Sequence, residues 1–208
     1  MKRYISLGTQ CNVASALIEH ELRDYSLPWD WLYIGQLSDI VTMLNSRNRV
    51  IIDHTHWERD PHDSTNYKNK LLVNTSSRHF YNESFSNHKY VTCLFERRTE
   101  RLFQCFQSDE RIHFIRDEQW YVHDPSMYRS RLDAFVAFFA AQFPKLEYVL
   151  IVILDSKNKP AFESFEYDTN HVRIVYVDSN GSTHWQRRVI PWKYVLCGDD
   201  DVEAVSIP

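Results

Sequence analysis

Tyr148-Val149-Leu150-Ile151-Val152-Ile153-Leu154 is an unbroken apolar run with no polar residue to mark a solvent face. A strand of that kind is buried on both sides, as strands are in a parallel sheet covered by helices. Working outward, Val172–Val177, Ile112–Ile115 and Tyr4–Leu7 are shorter, mainly apolar runs, interrupted by Arg173, His113 and Ser6. Helical spacing fills the gaps between them. Val13, Ala14, Leu17, Ile18 and Leu22 recur at turns of a helix beginning at Cys11, and Leu37, Ile40, Val41 and Leu44 form a second stripe. Val91, Leu94, Phe95, Leu102, Cys105 and Phe106 form a third, and Leu132, Phe135, Val136, Phe139 and Phe143 a fourth. The segment from Lys157 to Thr169 supplies a short crossover helix. The alternation predicts an α/β fold, a mostly parallel sheet with helices on both faces, in a Rossmann-like arrangement. Residues 1–208 read as a single α/β domain, and the short ends also suit a domain excised from a larger multidomain enzyme.

The stretch from Asn45 to Lys89 breaks this rhythm. It is polar and reads as a long irregular loop, of the kind that carries function in a compact domain. Hydrophobic residues make up 43% and charged residues 25%, enough to build an ordinary globular core. Aromatics reach 14%, and surplus Trp and Tyr suit sugar stacking as well as packing. A net charge of −4 argues against nucleic acid as partner. No apolar run reaches the roughly 18 residues of a membrane span. Cys11, Cys93, Cys105 and Cys197 show neither CxxC spacing nor a disulfide pattern, so reduced thiols and a cytoplasmic location are expected, the host cytoplasm if the chain is viral.

The candidate site lies where the first strand meets the first helix. Ligands of open parallel sheets bind beyond the carboxyl ends of strands, against helix N-termini. Gly8 permits close backbone approach, and Thr9, Gln10 and Cys11 would present amides and side chains to an anion. Thr9 or Asn12 is expected to cap the helix. The same position should lower the Cys11 pKa. Arg98 falls on an apolar stripe, beside Arg97 and Arg101, and a partly buried guanidinium calls for a carboxylate or a bound anion. Arg116 ends a strand, where side chains enter an α/β cleft. Asp30 stands between Trp29 and Trp31, an apolar setting that raises a carboxyl pKa and fits it for general-base work. His54, His56, His62 and Asp63 crowd together without a HExxH helix or a cysteine pair, and no resident metal site is expected. The Asp199-Asp200-Asp201 run has the Asp-x-Asp spacing that holds a divalent cation on a sugar diphosphate, although no cofactor is required.

Four blocks resemble a known family. Ile5-Ser6-Leu7-Gly8-Thr9-Gln10-Cys11-Asn12-Val13-Ala14 and Ser26-Leu27-Pro28-Trp29-Asp30-Trp31-Leu32 are similar to the opening signature of the DUF1796 family, labelled papain-like cysteine peptidases. Glu96-Arg97-Arg98-Thr99-Glu100-Arg101-Leu102 and Ile112-His113-Phe114-Ile115-Arg116 resemble its later blocks. The resemblance implies Cys11 as nucleophile, a histidine base at His79 or His88, and a papain-like α+β fold as the alternative architecture. The family pattern places an Asp after its histidine, and here none follows either one. The resemblance also implies a setting near glycan-assembly enzymes.

These features support three functional expectations. The first is a glycosyltransferase moving a sugar from a nucleotide-diphosphate donor to a glycan acceptor. In it the turn of Gly8, Thr9, Gln10 and Cys11 would cradle phosphate, Arg98 or Arg116 would stabilise the departing diphosphate, Arg97, Trp29 and Trp31 would also bind substrate, and Asp30 would be the base. The second is a cysteine hydrolase, with Cys11 attacking an acyl group, His79 or His88 as base, and Cys11 alkylating faster than Cys93 or Cys197 at neutral pH. The third is a non-catalytic module that binds a glycan or a protein.

Overall fold

The computed structural model describes residues 2–78, 88–118, 124–162, 170–178 and 190–197. In chain order the elements are β1 (Lys2–Ser6), α1 (Cys11–Glu19), β2 (Tyr33–Ile34), α2 (Leu37–Asn45), α3 (Arg49–Ile52), β3 (Trp57–Asp60), β4 (Asp63–Asn69), β5 (Thr75–Ser77) and α4 (His88–Phe106). They continue with β6 (Arg111–Asp117), α5 (Pro125–Gln142), β7 (Tyr148–Asp155), α6 (Lys159–Phe162), β8 (Val172–Val177) and α7 (Trp192–Cys197).

The apolar runs form one parallel sheet in the order β1-β6-β7-β8. Strand β7 sits inside it and is buried along its whole length. Its side chains alternate between two cores, as the pleat requires. Tyr148, Leu150, Val152 and Leu154 meet Ile5, Leu7, Ile112 and Phe114 beneath α2, α4 and α5. Val149, Ile151 and Ile153 join Tyr4 and Ile115 beneath Val13, Ala16 and Leu17 of α1 and Trp192, Val195 and Leu196 of α7. Edge-to-face rings tie the first core together, with Phe114 5.7 Å from Phe135 and Phe106 5.8 Å from Phe139. Helix α5 starts where local chemistry predicts, with Asp124 accepting from Met127 N at 3.0 Å and proline opening the first turn.

Two expectations need correction. Helices do cover both faces, but the four strands lie side by side in chain order. Without a reversal of order there is no switch-point crevice, so the Rossmann-like part of the expectation is not supported. The polar stretch is also more regular than expected. Between Asn45 and Lys89 lie α3 and β3–β5, and with β2 these strands form an antiparallel sheet ordered β2-β5-β4-β3. Its buried positions include Asp60, Asn69, Thr75 and Ser77, held by hydrogen bonds rather than by apolar contact. The architecture is mixed α/β, a parallel sheet beside a small antiparallel one, and the α+β alternative fits it.

Candidate active site at the first turn of α1

Strand β1 ends beneath an internal lid. Gly8 adopts φ +65°, and a Cβ there would stand 2.5 Å from the Trp29 carbonyl oxygen and 3.1 Å from that of Leu32. The close approach that glycine permits is therefore taken up by the chain's own 29–34 loop. The Gly8 carbonyl accepts from Ile34 N at 2.7 Å, which fastens that loop to the turn. The residues after Gly8 open α1, with Gln10 at its N-cap and no side-chain cap hydrogen bond. Neither Thr9 nor Asn12 caps the helix as expected. Asn12 instead donates to Asp117 Oδ2 at 2.6 Å, bridging α1 to the end of β6.

Cys11 is the first residue of α1 and is half-buried in this polar cluster. Its thiol is pushed up to about 11, first by burial and then by the Asp30 carboxylate. This overturns the expectation of a lowered pKa. A helix N-terminus favours thiolate, but desolvation and a neighbouring negative charge outweigh it here. At rest Cys11 carries its proton.

Asp30 is 1% exposed. Its Oδ2 accepts from Leu27 N at 2.6 Å and pairs with Arg23 Nη1. The Arg23 guanidinium lies 5.8 Å from the Trp31 ring centre. Burial raises the Asp30 carboxyl to about 6, while Arg23 and Arg98 oppose the shift. The expected raised carboxyl is present, and its main cause is burial. Oδ1 of Asp30 has no hydrogen-bond partner among the described residues, and neither has Oγ1 of Thr9, which is fully buried.

The arginines divide by surroundings. Arg98 is 9% exposed and feels the Asp30 carboxylate, so it joins the Cys11 cluster. Arg97 is exposed on α4. Arg116 is fully buried and donates to the Leu7 carbonyl at 3.2 Å, to the Ile34 carbonyl at 3.0 Å and to Glu118. It pins the ends of β1, β2 and β6 together, and no face of it meets solvent. Trp29 is likewise buried, donating to Asn48 Oδ1 at 3.1 Å, whereas Trp31 is half-exposed. His79 and Asp199–Asp201 lie outside the described residues, and of His88 only its place at the start of α4 is described. Among the described residues no three His, Cys, Asp or Glu side chains gather as a metal site.

Sequence reasoning missed Arg23 and Asp117. Neither sits on a motif, and only folding brings Arg23 to Asp30 and Asp117 to Asn12.

Residues 2–158 match the family described as "Putative papain-like cysteine peptidase (DUF1796)". The chain belongs to the DUF1796 family. The family's description overturns the glycosyltransferase reading, since it points to a cysteine peptidase, and the nucleotide-sugar donor and glycan acceptor lose their support with it. An uncharacterized protein, R408, of Acanthamoeba polyphaga mimivirus is 23% identical over 94% of this chain and 97% of its own length. No solved structure matches the chain. No helix among the described residues is long and apolar enough to cross a membrane.

Proposed function

We propose that this DUF1796 member is a cysteine hydrolase acting on acyl bonds, with Cys11 as its nucleophile. The observation that carries the reading is the position of Cys11. It is a half-exposed thiol on the first turn of α1, beside buried polar groups and ahead of amides that no side chain caps. Such amides suit the oxyanion that forms when sulfur adds to a carbonyl. The other described thiols are placed less well. Cys93 is exposed on α4, and Cys105 is buried in the core 3.6 Å from the Tyr25 hydroxyl.

A resting thiol near 11 cannot act as a preformed thiolate at neutral pH. Attack therefore has to be coupled to removal of the proton by a base. In the DUF1796 pattern the base is a histidine, and His79 and His88 are the candidates here.

The test is hydrolysis of a pooled library of peptidyl aminomethylcoumarin amides by wild type, Cys11→Ala, Cys93→Ser, His79→Ala and His88→Ala. Release of coumarin that is lost in Cys11→Ala and kept in Cys93→Ser supports the reading. Equal release by wild type and Cys11→Ala, or none from wild type, removes it.

A further inference from the structure

Asn48 combines a backbone anchor with a two-sided side-chain tether. It sits in the left-handed region at φ +61°, between α2 and α3, a conformation that asparagine tolerates better than most residues. Its backbone is held on both sides. The N–H donates to the Met43 carbonyl at 2.6 Å, and the carbonyl accepts from Ile51 N and Ile52 N at 3.0 Å. With the backbone held, the side chain leaves it in a set direction. That side chain is fully buried, accepts from Trp29 Nε1 on Oδ1 at 3.1 Å and donates from Nδ2 to Thr99 Oγ1 at 3.1 Å. An indole N–H can only donate, so the amide cannot be turned round.

Both bonds bear on the turn that carries Cys11. Leu27 N and Arg23 hold Asp30 from within the 23–30 segment, so they stiffen that segment without placing it. The Trp29–Asn48 bond places it, because Asn48 belongs to the α2–α3 junction and Thr99 to α4. The Trp29 carbonyl in turn lies against Gly8, where an added Cβ would stand 2.5 Å from it, and the Gly8 carbonyl accepts from Ile34 N at 2.7 Å. Gly8 is three residues ahead of Cys11. An unbroken line of contacts thus runs from α4 through Asn48 and Trp29 to the start of α1. Apolar packing buries the Trp29 ring but has no direction of its own. The hydrogen bond at the ring's edge sets how the ring, and the backbone with it, is seated.

We infer, building on the cysteine-hydrolase reading, that Asn48 is a positioning residue for Cys11: through Trp29 it seats the 29–34 loop on Gly8 and so fixes the first turn of α1 against an incoming acyl group. Asn48 is buried and acts only through Trp29. A nucleophile whose turn shifts by a fraction of an ångström loses rate rather than affinity, because the substrate still binds while attack is misaligned. The same seating keeps water from the thiol, and burial is the first cause that holds it at about 11. Loosening the tether therefore leaves two marks on one sulfur, slower attack on an amide and readier ionisation.

Thr99→Val removes the far end of the tether from another helix at nearly constant volume, and Thr99→Ser restores the hydroxyl. Asn48→Gly deletes the whole side chain at a backbone angle that glycine accepts. Phe139→Leu, in the core beneath the sheet, is the control for lost stability alone. Circular dichroism checks each fold, and should Asn48→Gly fail to fold, Thr99→Val carries the test. In Thr99→Val and Asn48→Gly, kcat for Cys11-dependent hydrolysis of the coumarin amides should fall about tenfold, with KM within about twofold of wild type. The pH profile of Cys11 alkylation by iodoacetamide, followed by mass spectrometry with the exposed Cys93 as internal standard, should move to lower pH, with a reaction about tenfold faster at pH 8. Thr99→Ser and Phe139→Leu should keep the wild-type kcat and profile. If Cys11→Ala is inactive while Thr99→Val and Asn48→Gly match wild type in both respects, this inference is overturned and the hydrolase reading stands. A lower kcat without the change in profile, or equal changes in Phe139→Leu, marks a structural effect and also overturns it. If hydrolysis does not depend on Cys11, the hydrolase reading falls, and the Cys11 profile by itself decides whether Asn48 governs the turn, an unchanged profile overturning that too.

Discussion

Replacing Gly8 by Ala probes the joint on which the candidate site rests. Two costs add at this position. The backbone has φ +65°, a left-handed conformation that costs an L-residue roughly 1–2 kcal/mol. The new Cβ would also stand 2.5 Å from the Trp29 carbonyl and 2.8 Å from Ile34 Cδ1, and backbone must move to relieve the first contact. Overpacking of that sort costs about 1–3 kcal/mol, so the sum is about 2–5 kcal/mol, a large part of the stability of an ordinary domain. Gly35 is the control. The three atoms nearest a Cβ added there are Asn74 Nδ2, Cβ and Cγ, at 2.7–2.9 Å, and its φ is not left-handed. The Asn74 Cβ is fixed to its backbone, so an overpacking cost of about 1–3 kcal/mol applies here too, and Gly35→Ala lacks only the left-handed penalty. Urea unfolding of wild type and both variants, with linear extrapolation to water, measures the difference. A Gly8→Ala loss within about 0.5 kcal/mol of wild type, or equal losses in the two variants, would refute the reasoning.

Three further outcomes follow from the buried charges. The Asp30 carboxyl is raised on folding from 3.8 to about 6, so the native state binds the proton more tightly than the unfolded chain does. Its contribution to stability is greatest below the unfolded value and is lost as pH rises through this window, amounting to about 3 kcal/mol. Urea unfolding between pH 4 and 6.5 should show that Asp30→Asn lacks this component; identical pH slopes in the two proteins would contradict it. Arg116→Met strands a buried Glu118 and frees two backbone carbonyls, and should destabilise by about 4 kcal/mol. Thermal unfolding should show Arg116→Met with Glu118→Met losing less than the two single losses added together, and simple additivity would count against the pair. In wild type at pH 8 a thiol near 11 is thiolate in about one molecule per thousand. Iodoacetamide followed by mass spectrometry should therefore mark the exposed Cys93 well before Cys11, the reverse of what a helix N-terminus alone predicts.

Much was legible from the chain alone, for identifiable reasons. Buried parallel strands need continuous apolar side chains, so Tyr148–Leu154 and Val172–Val177 announce themselves, and β8 has the same bounds as its apolar run. Covering helices need apolar residues at turns, so the stripes through α4 and α5 were equally visible. The setting of Asp30 among tryptophans and the place of Cys11 at the strand–helix turn were local facts, and the blocks around them carried the family resemblance. The antiparallel sheet was not legible. Strands such as Asp63–Asn69 bury polar side chains through hydrogen bonds, and hydropathy does not register those. Strand order was also hidden, because apolar runs do not encode which strand lies next to which. The roles within the site belong to tertiary structure for the same reason. Whether a guanidinium faces a cleft or spans two carbonyls, as Arg116 does, depends on neighbours 82 and 109 residues away. Whether a helix N-terminus lowers a thiol or burial raises it depends on what the fold packs around Cys11. The chain's own pattern determined the layers and marked the first turn. Only the packing of the 29–34 loop onto Gly8 decided that the turn holds a protonated thiol beside a buried carboxylate, because desolvation and charge proximity exist only once distant residues have met.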